Sequence, residues 1–296
     1  MSLLRHRPPA RLLCTARLYK LATNLDFGFR AWQYIYGALL MCRQNLSSLY
    51  VRWVAPLTLG PWLAKGFPVL RSAVLMAPSV ALEVGLQQAT ALRSLCLSTG
   101  APLLGSLPRA LTKLSIHHGR LAALPAGLLE LRELRELELD YSDLDTASCA
   151  ALSSLSMLEL LNLSGNNLET VPMELSALTG LKYLYLDDNY HLSVQQLETL
   201  SYLTSLCVLA VPCCDLTALP AALSALANLR MLFCHGNRLR SLPGASSWLG
   251  RITVLSVELA TLCQCLGELR HAENLTKLYI TRSGDPVEQQ CTGLLD

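Results

Sequence analysis

The side chains best suited to proton transfer or metal ligation near neutral pH are six histidines, His6, His117, His118, His191, His235 and His271. Only His117 and His118 adjoin one another. A zinc-type site needs several further ligands converging in space, and the sequence offers no ligand run beside this pair, so no metal or other cofactor is expected. Eleven cysteines are present, yet none falls in CxxC spacing: Cys213 and Cys214 are adjacent, and one residue separates Cys263 from Cys265. There is no nucleophile elbow, phosphate-cradling glycine loop or dinucleotide fingerprint. Ser164 and Gly165 lie inside a repeating turn pattern rather than in a nucleophile elbow. The acid-rich stretch ELRELRELELDYSDLD, residues 130–145, reads as a solvated convex and rim surface rather than a catalytic carboxylate pair. Taken together, these residues predict a protein that is not an enzyme.

Composition points the same way. Of 296 residues, 52% are hydrophobic and 16% charged, an excess of leucine and alanine that requires many equivalent buried positions. The net charge of +2 supplies no field for nucleic acid. Away from the repeats, the longest mostly apolar run is Trp32 to Cys42, about half of the roughly 20 residues a membrane span needs. An odd number of scattered cysteines argues against a disulfide framework and for a reducing, intracellular, cytoplasmic setting. The sequons at Asn45, Asn162 and Asn274 are read as chance meetings of Asn with Leu-Ser or Leu-Thr.

What would position any functional side chain is a repeat. From Leu158 the chain reads LELLNLSGNNLETVPMELSALTG, and the frame restarts at Leu181, Leu206 and Leu229. Extended outward, it finds starts at Leu46, Leu70, Leu92, Leu111, Leu134, Ile252 and Leu275, which makes eleven candidate repeats with steps of 19 to 25 residues. The frame is closest from Leu111 to Leu269 and degraded at both ends.

The pattern LxxLxLxxNxLxxLPxxLxxLxx resembles the leucine-rich repeat family, and its mid-repeat Leu-Pro resembles the short intracellular class. The resemblance covers about 250 residues. It implies an α/β fold: a right-handed horseshoe solenoid with a parallel β-sheet on the concave side and short helical or 3-10 arches on the convex side. Residue logic agrees. In LxxLxL, Leu161 and Leu163 point one way and Asn162 the other, as strand geometry requires. Asn166, Asn189 and Asn237 occupy the ninth position, where an amide can bind the backbone of the turn, and Cys214 takes that place in its own repeat. Gly100, Gly119 and Ser142 replace the Asn elsewhere, so the ladder is expected to be broken in the N-terminal half. Pro125, Pro172, Pro220 and Pro243 lack an N–H and suit the start of an arch.

The frame also predicts the concave face. Positions two, three, five, seven and eight give Lys182, Tyr183, Tyr185, Asp187 and Asp188 in one repeat, and Arg230, Met231, Phe233, His235 and Gly236 in another. Cys207, Val208, Ala210, Pro212 and Cys213 lie between. Tyr183, Tyr185, Met231 and Phe233 then form a shallow aromatic and apolar patch with Asp187, Asp188 and His235 at its edge, the make-up of a protein-binding hot spot. His117 and His118 fall on the rim, where Asp140 of the next repeat approaches His117. The expected function is a non-catalytic scaffold that holds a protein partner on this face.

Residues 1–45 read as a basic arm and an aromatic cap carrying Phe27, Phe29, Trp32, Tyr34 and Tyr36, residues 46–284 as the repeat domain, and 285–296 as a tail. Four arginines and Lys20 precede the first acid, Asp26, a composition that resembles an organelle transit peptide. YGALLMCRQNLSSLYVRWV resembles the end of an F-box, which implies an alternative role as substrate receptor of a ubiquitin ligase. A second alternative is a regulator of a small GTPase or phosphatase, with Arg120 or Arg238 at the rim.

Overall fold

The computed structural model describes residues 44–52, 57–59, 61–78, 80–82, 86–98, 107–121, 124–125, 127–192, 194–242 and 248–282. The sequence-derived arm and aromatic cap up to residue 43 and the tail, together with Gly100 and Pro243, lie outside them. Eleven parallel strands form one open sheet: β1 (Ser48–Arg52), β3 (Ser72–Met76), β5 (Ser94–Ser98), β6 (Lys113–His117), β7 (Glu136–Glu138), β8 (Leu160–Asn162), β9 (Tyr183–Tyr185), β10 (Val208–Ala210), β11 (Met231–Phe233), β12 (Val254–Glu258) and β13 (Lys277–Thr281). Two further strands, β2 (Leu57–Leu59) and β4 (Val80–Leu82), pair with each other. Every strand of the large sheet begins two residues after a start of the sequence frame. Because Ser48–Arg52 is a strand, this part of the F-box-like segment is extended rather than helical.

The periodicity that sets the strands also sets the core. Leu161, Leu184, Leu209 and Leu232 are in register across β8 to β11 and are buried. Burying such a leucine contributes about 2 kcal/mol; no single turn can bury its stripe without neighbours, so the core is one continuous column. The arches are mostly 3-10 segments, among them Leu128–Glu130, Met173–Ala177 and Ala221–Ala225. The last two begin directly after Pro172 and Pro220. The carbonyls of Pro125, Pro172 and Pro220 accept from the N–H groups of Leu128, Leu175 and Leu223. Fixed φ and a missing donor thus start each of these three arches. No helix among the described residues is long and apolar enough to cross a membrane.

The turns that end β6 to β11 carry a second repeat. His118, Tyr141, Gly165, Asp188, Cys213 and Gly236, all at the eighth position, have positive φ. For a residue with a Cβ, this left-handed region costs on the order of 1 kcal/mol and persists only where the surroundings enforce it.

Candidate functional site

Below those turns the ninth-position side chains form a buried ladder. Asn166 Nδ2 donates to the carbonyls of Leu139 (2.8 Å) and Leu163 (2.9 Å), and its Oδ1 accepts from the N–H groups of Ser142 and Leu144. Asn189 reaches the carbonyls of Leu163 and Leu186 and accepts from Leu168 N–H. Asn237 reaches Val211 and Cys234 and accepts from Cys214 and Leu216. Cys214 fills the same place with its thiol, which donates to the carbonyls of Leu186 and Pro212 and is pushed up to about 12 by burial. In the N-terminal half the shorter Ser142 hydroxyl donates to Asp140 and Ile116 carbonyls and accepts from Gly119 N–H. A Cβ on Gly119 would come within 2.8 Å of Ile116 Cγ2, so that turn is closed too tightly for an Asn.

With the ladder holding the turns, the register places the concave side chains in rows. Lys113, Glu136, Leu160, Tyr183, Val208, Met231 and Val254 align across β6 to β12. Ser115, Glu138, Asn162, Tyr185, Ala210, Phe233 and Ser256 form the next row. Backbone bonds from Tyr141 N–H to the Ser164 carbonyl and from Gly165 N–H to the Asp187 carbonyl continue the ladder, so Asp140, Ser164 and Asp187 are neighbours in a third row.

The first half of this face is ionic. Lys113 Nζ lies 2.8 Å from Glu136 and 3.0 Å from Glu138, and His117 Nδ1 is 2.6 Å from Asp140. Burial works against the charge of Lys113, but its two glutamate partners hold it well above its ordinary value. Hydrogen bonds to Asp140 and then Cys96 push His117 up to about 10, so it is an imidazolium at neutral pH. Glu136, Glu138 and Asp140, read from sequence as convex and rim surface, therefore stand on the concave strand β7 and its end, because alternation along a strand turns every second residue to the same side. Ligand atoms of His117, Glu138 and Asp140 lie within 4.8 Å of one another. These are the residues best placed to hold a metal, but the chain's own Lys113 and His117 already hold the carboxylates.

The second half is apolar, and its anchors differ from expectation. Tyr185 and Phe233 are 2% and 3% exposed. They flank the fully buried Ala210 and pack with Val208 and Val254 in a cluster separate from the main core. Strands lie about 4.8 Å apart, so the small Ala210 leaves a gap between its neighbours that the two rings fill. Leu160, Tyr183, Cys207 and Met231 remain half-buried around this floor. His235 is buried against Ser256, 2.7 Å from its hydroxyl, and burial holds it below its ordinary value. Asp187 and Asp188 are half-buried at the edge. Tyr141, not flagged by the sequence frame as functional, crosses above Gly165 and donates to Asp188 Oδ2 at 2.6 Å while its ring stacks on His118. Of the two rim arginines, Arg120 is exposed and Arg238 pairs with Asp215 at 2.7 Å. A cleft of about 110 Å³ between Leu63, Phe67 and Ala89 lies away from the sheet and is far smaller than the roughly 300 Å³ of a cofactor pocket.

A family model described as leucine rich repeat matches residues 109–168. A leucine-rich repeat protein of Leptospira interrogans is similar in fold, with TM-score 0.58, 23% identity and coverage of 82% of this chain and 69% of that one. The fold is that of a leucine-rich repeat solenoid. The leucine-rich repeat ectodomain of the Arabidopsis thaliana receptor kinase GASSHO1/SCHENGEN3, solved in complex with CASPARIAN STRIP INTEGRITY FACTOR 2, gives TM-score 0.53 at 20% identity and covers 83% of this chain and 31% of that chain. A TDR receptor gives 0.60 at 19%, covering 85% and 46%. This chain therefore spans less than half the length of either receptor chain. A search of curated proteins finds no match to the sequence. Leucine-rich repeats commonly serve as protein-interaction scaffolds and are typically not catalytic.

Proposed function

We propose that this leucine-rich repeat protein is a non-catalytic scaffold that binds one protein partner on the concave face of β8 to β12. The observation that carries the reading is the second apolar cluster. Tyr185, Val208, Ala210, Phe233 and Val254 bury themselves outside the solenoid core, on the open side of the sheet. A rigid apolar floor ringed by half-exposed Leu160, Tyr183 and Met231, with charged groups beside it, has the anatomy of a binding hot spot. Tyr185 and Phe233 support the floor, and Tyr183 and Met231 are the side chains a partner would touch.

The test is a pair of variants, Tyr183→Glu and Met231→Glu, compared with the wild type by proximity labelling in cells and by melting temperature. The expected result is loss of the same labelled partner with melting unchanged to within a few degrees. Retention of every partner by the double variant overturns the reading. An intracellular setting belongs to the same proposal and is supported by Cys96, Cys149, Cys207, Cys213, Cys214, Cys234, Cys263 and Cys265 standing as free thiols. Mass spectrometry of the alkylated, unreduced protein checks it: a disulfide between any two of them argues for an oxidising compartment.

A further inference from the structure

Two polar groups beside the apolar floor lack partners. Ser164 is 7% exposed, its Oγ is buried, and no hydrogen bond reaches it. Asp187 Oδ1, at the equivalent position one repeat on, is likewise buried without a partner. Buried polar groups are hydrogen-bonded in the great majority of cases, and one left unpaired costs about 1–3 kcal/mol. Both side chains face the concave side, since Leu163 and Leu186 on either side of the alternation point into the core.

Among the described residues, the nearby cations are engaged elsewhere. Lys113 and His117 hold Glu136, Glu138 and Asp140, and Lys182 holds Glu159 at 2.7 Å. His235 faces Ser256 and is disfavoured as a cation by burial. Asp188, the acid next to Asp187, already accepts from Tyr141 and Tyr190. Asp187 is therefore the acid of this edge that no side chain among the described residues reaches with a hydrogen bond, and its Oδ1 is left without a partner.

We propose that Asp187 and Ser164 form a seat for a lysine or arginine side chain of an extended peptide segment of the partner, whose neighbouring apolar residue rests on Tyr183 and Met231. This rests on the concave-face reading and deepens it. Charge complementarity selects the occupant: a cation supplies the N–H donors that Asp187 Oδ1 and Ser164 Oγ lack, and charge-assisted bonds of this kind are the strong ones. The electrostatics agree. Burial, with the negative charge of Asp188 second, pushes the Asp187 carboxyl up to about 7, and an incoming cation favours its ionised form. Asp140, Asp188, Tyr190, Cys213 and His235 are other titratable groups of this edge, and an imidazolium at His235 would compete with the incoming cation.

The test pans a displayed library of random dodecapeptides on the full-length protein. A synthetic enriched peptide is then titrated at pH 8 against wild type, Asp187→Asn, Ser164→Ala and Met231→Glu. We expect enriched peptides to share a basic residue at fixed spacing from an apolar one. Asp187→Asn should weaken binding at least tenfold and Ser164→Ala about threefold, and replacing the peptide's basic residue by norleucine should abolish the difference between wild type and Asp187→Asn. Exchange of lysine for arginine in the peptide separates ammonium from guanidinium. Melting of free Asp187→Asn no lower than wild type shows that the fold is intact. Enrichment of peptides without a fixed cation, no enrichment at all, or equal affinity for Asp187→Asn and wild type overturns the seat. So does displacement of the peptide by millimolar magnesium, or a dimer that Asp187→Asn dissociates. If Met231→Glu alone abolishes binding, the face stands and the seat falls; if no variant changes binding, both fall.

Discussion

The concave faces of β6–β7 and of β8–β12 come from one sequence frame, yet they resolve the same geometric problem in opposite ways. Across β6 and β7, every inward charge finds an opposite charge on the adjacent strand: Lys113 on Glu136 and Glu138, His117 on Asp140. Across β8 to β12, two rings close over an alanine to form a dry floor, and beside it the Ser164 hydroxyl and one carboxylate oxygen of Asp187 are buried without partners. The first region is complete by itself. The second has apolar surface and polar valences that the described residues leave unmet, and this difference, rather than either region's composition, is why we propose the working surface there.

The comparison can be broken most severely at the floor. Phe233→Ala should cost about 3 kcal/mol through the cavity it leaves, seen as a lower urea midpoint, whereas Glu136→Gln in the exposed part of the ionic half should stay within about 0.5 kcal/mol; equal losses would mean that the floor is no packed unit. Asn237→Ala should follow at about 2 kcal/mol, since it strands several buried backbone groups at once, and Ser142→Ala should cost less because Ser142 satisfies fewer. The two halves should also respond to pH with different windows. His117 has a folded value of about 10 against 6.5; its contribution is full below pH 6.5 and is lost as pH rises toward 10. The wild-type minus His117→Asn stability difference should therefore shrink over that window, by about 1 kcal/mol for a partly exposed pair. Asp187 has a folded value of about 7 against 3.8. It binds a proton in the folded state that the unfolded chain has lost, so stability relative to Asp187→Asn should fall as pH rises from 4 to 7. A flat difference in that window would return Asp187 to the class of solvated acids. The smallest effect is expected at Lys113→Gln, a few tenths of a kcal/mol, because its two pairs are partly exposed and screened by solvent.

Much of this was legible from residue types at fixed spacing. The starts from Leu46 to Leu275 place all eleven strands of the large sheet, because a leucine that recurs in every turn has one place to go. The ninth-position residues could be named in advance, since the turn they close recurs with them. His117 beside Asp140 followed from counting one repeat forward. What a single repeat could not show is anything decided between repeats. Tyr185 and Phe233 are buried because Ala210 lies between them, and their own positions read as outward. That Asp187 rather than Asp188 lacks a side-chain donor depends on Tyr141, two repeats earlier. The orphaned Ser164 hydroxyl is a property of all its neighbours at once and leaves no mark on the local sequence.

That reach of Tyr141 has a mechanical consequence. A stack of repeats is a chain of springs in which each turn is tied to its immediate neighbours, and pulled from its ends it would peel one turn at a time. Tyr141 passes over Gly165, where a Cβ would collide with the ring, and is tied to Asp188 in the turn beyond. It acts as a splint across three turns, so under tension these should give way in a single step and their neighbours singly. Gly165→Ala would lift the splint and divide that step.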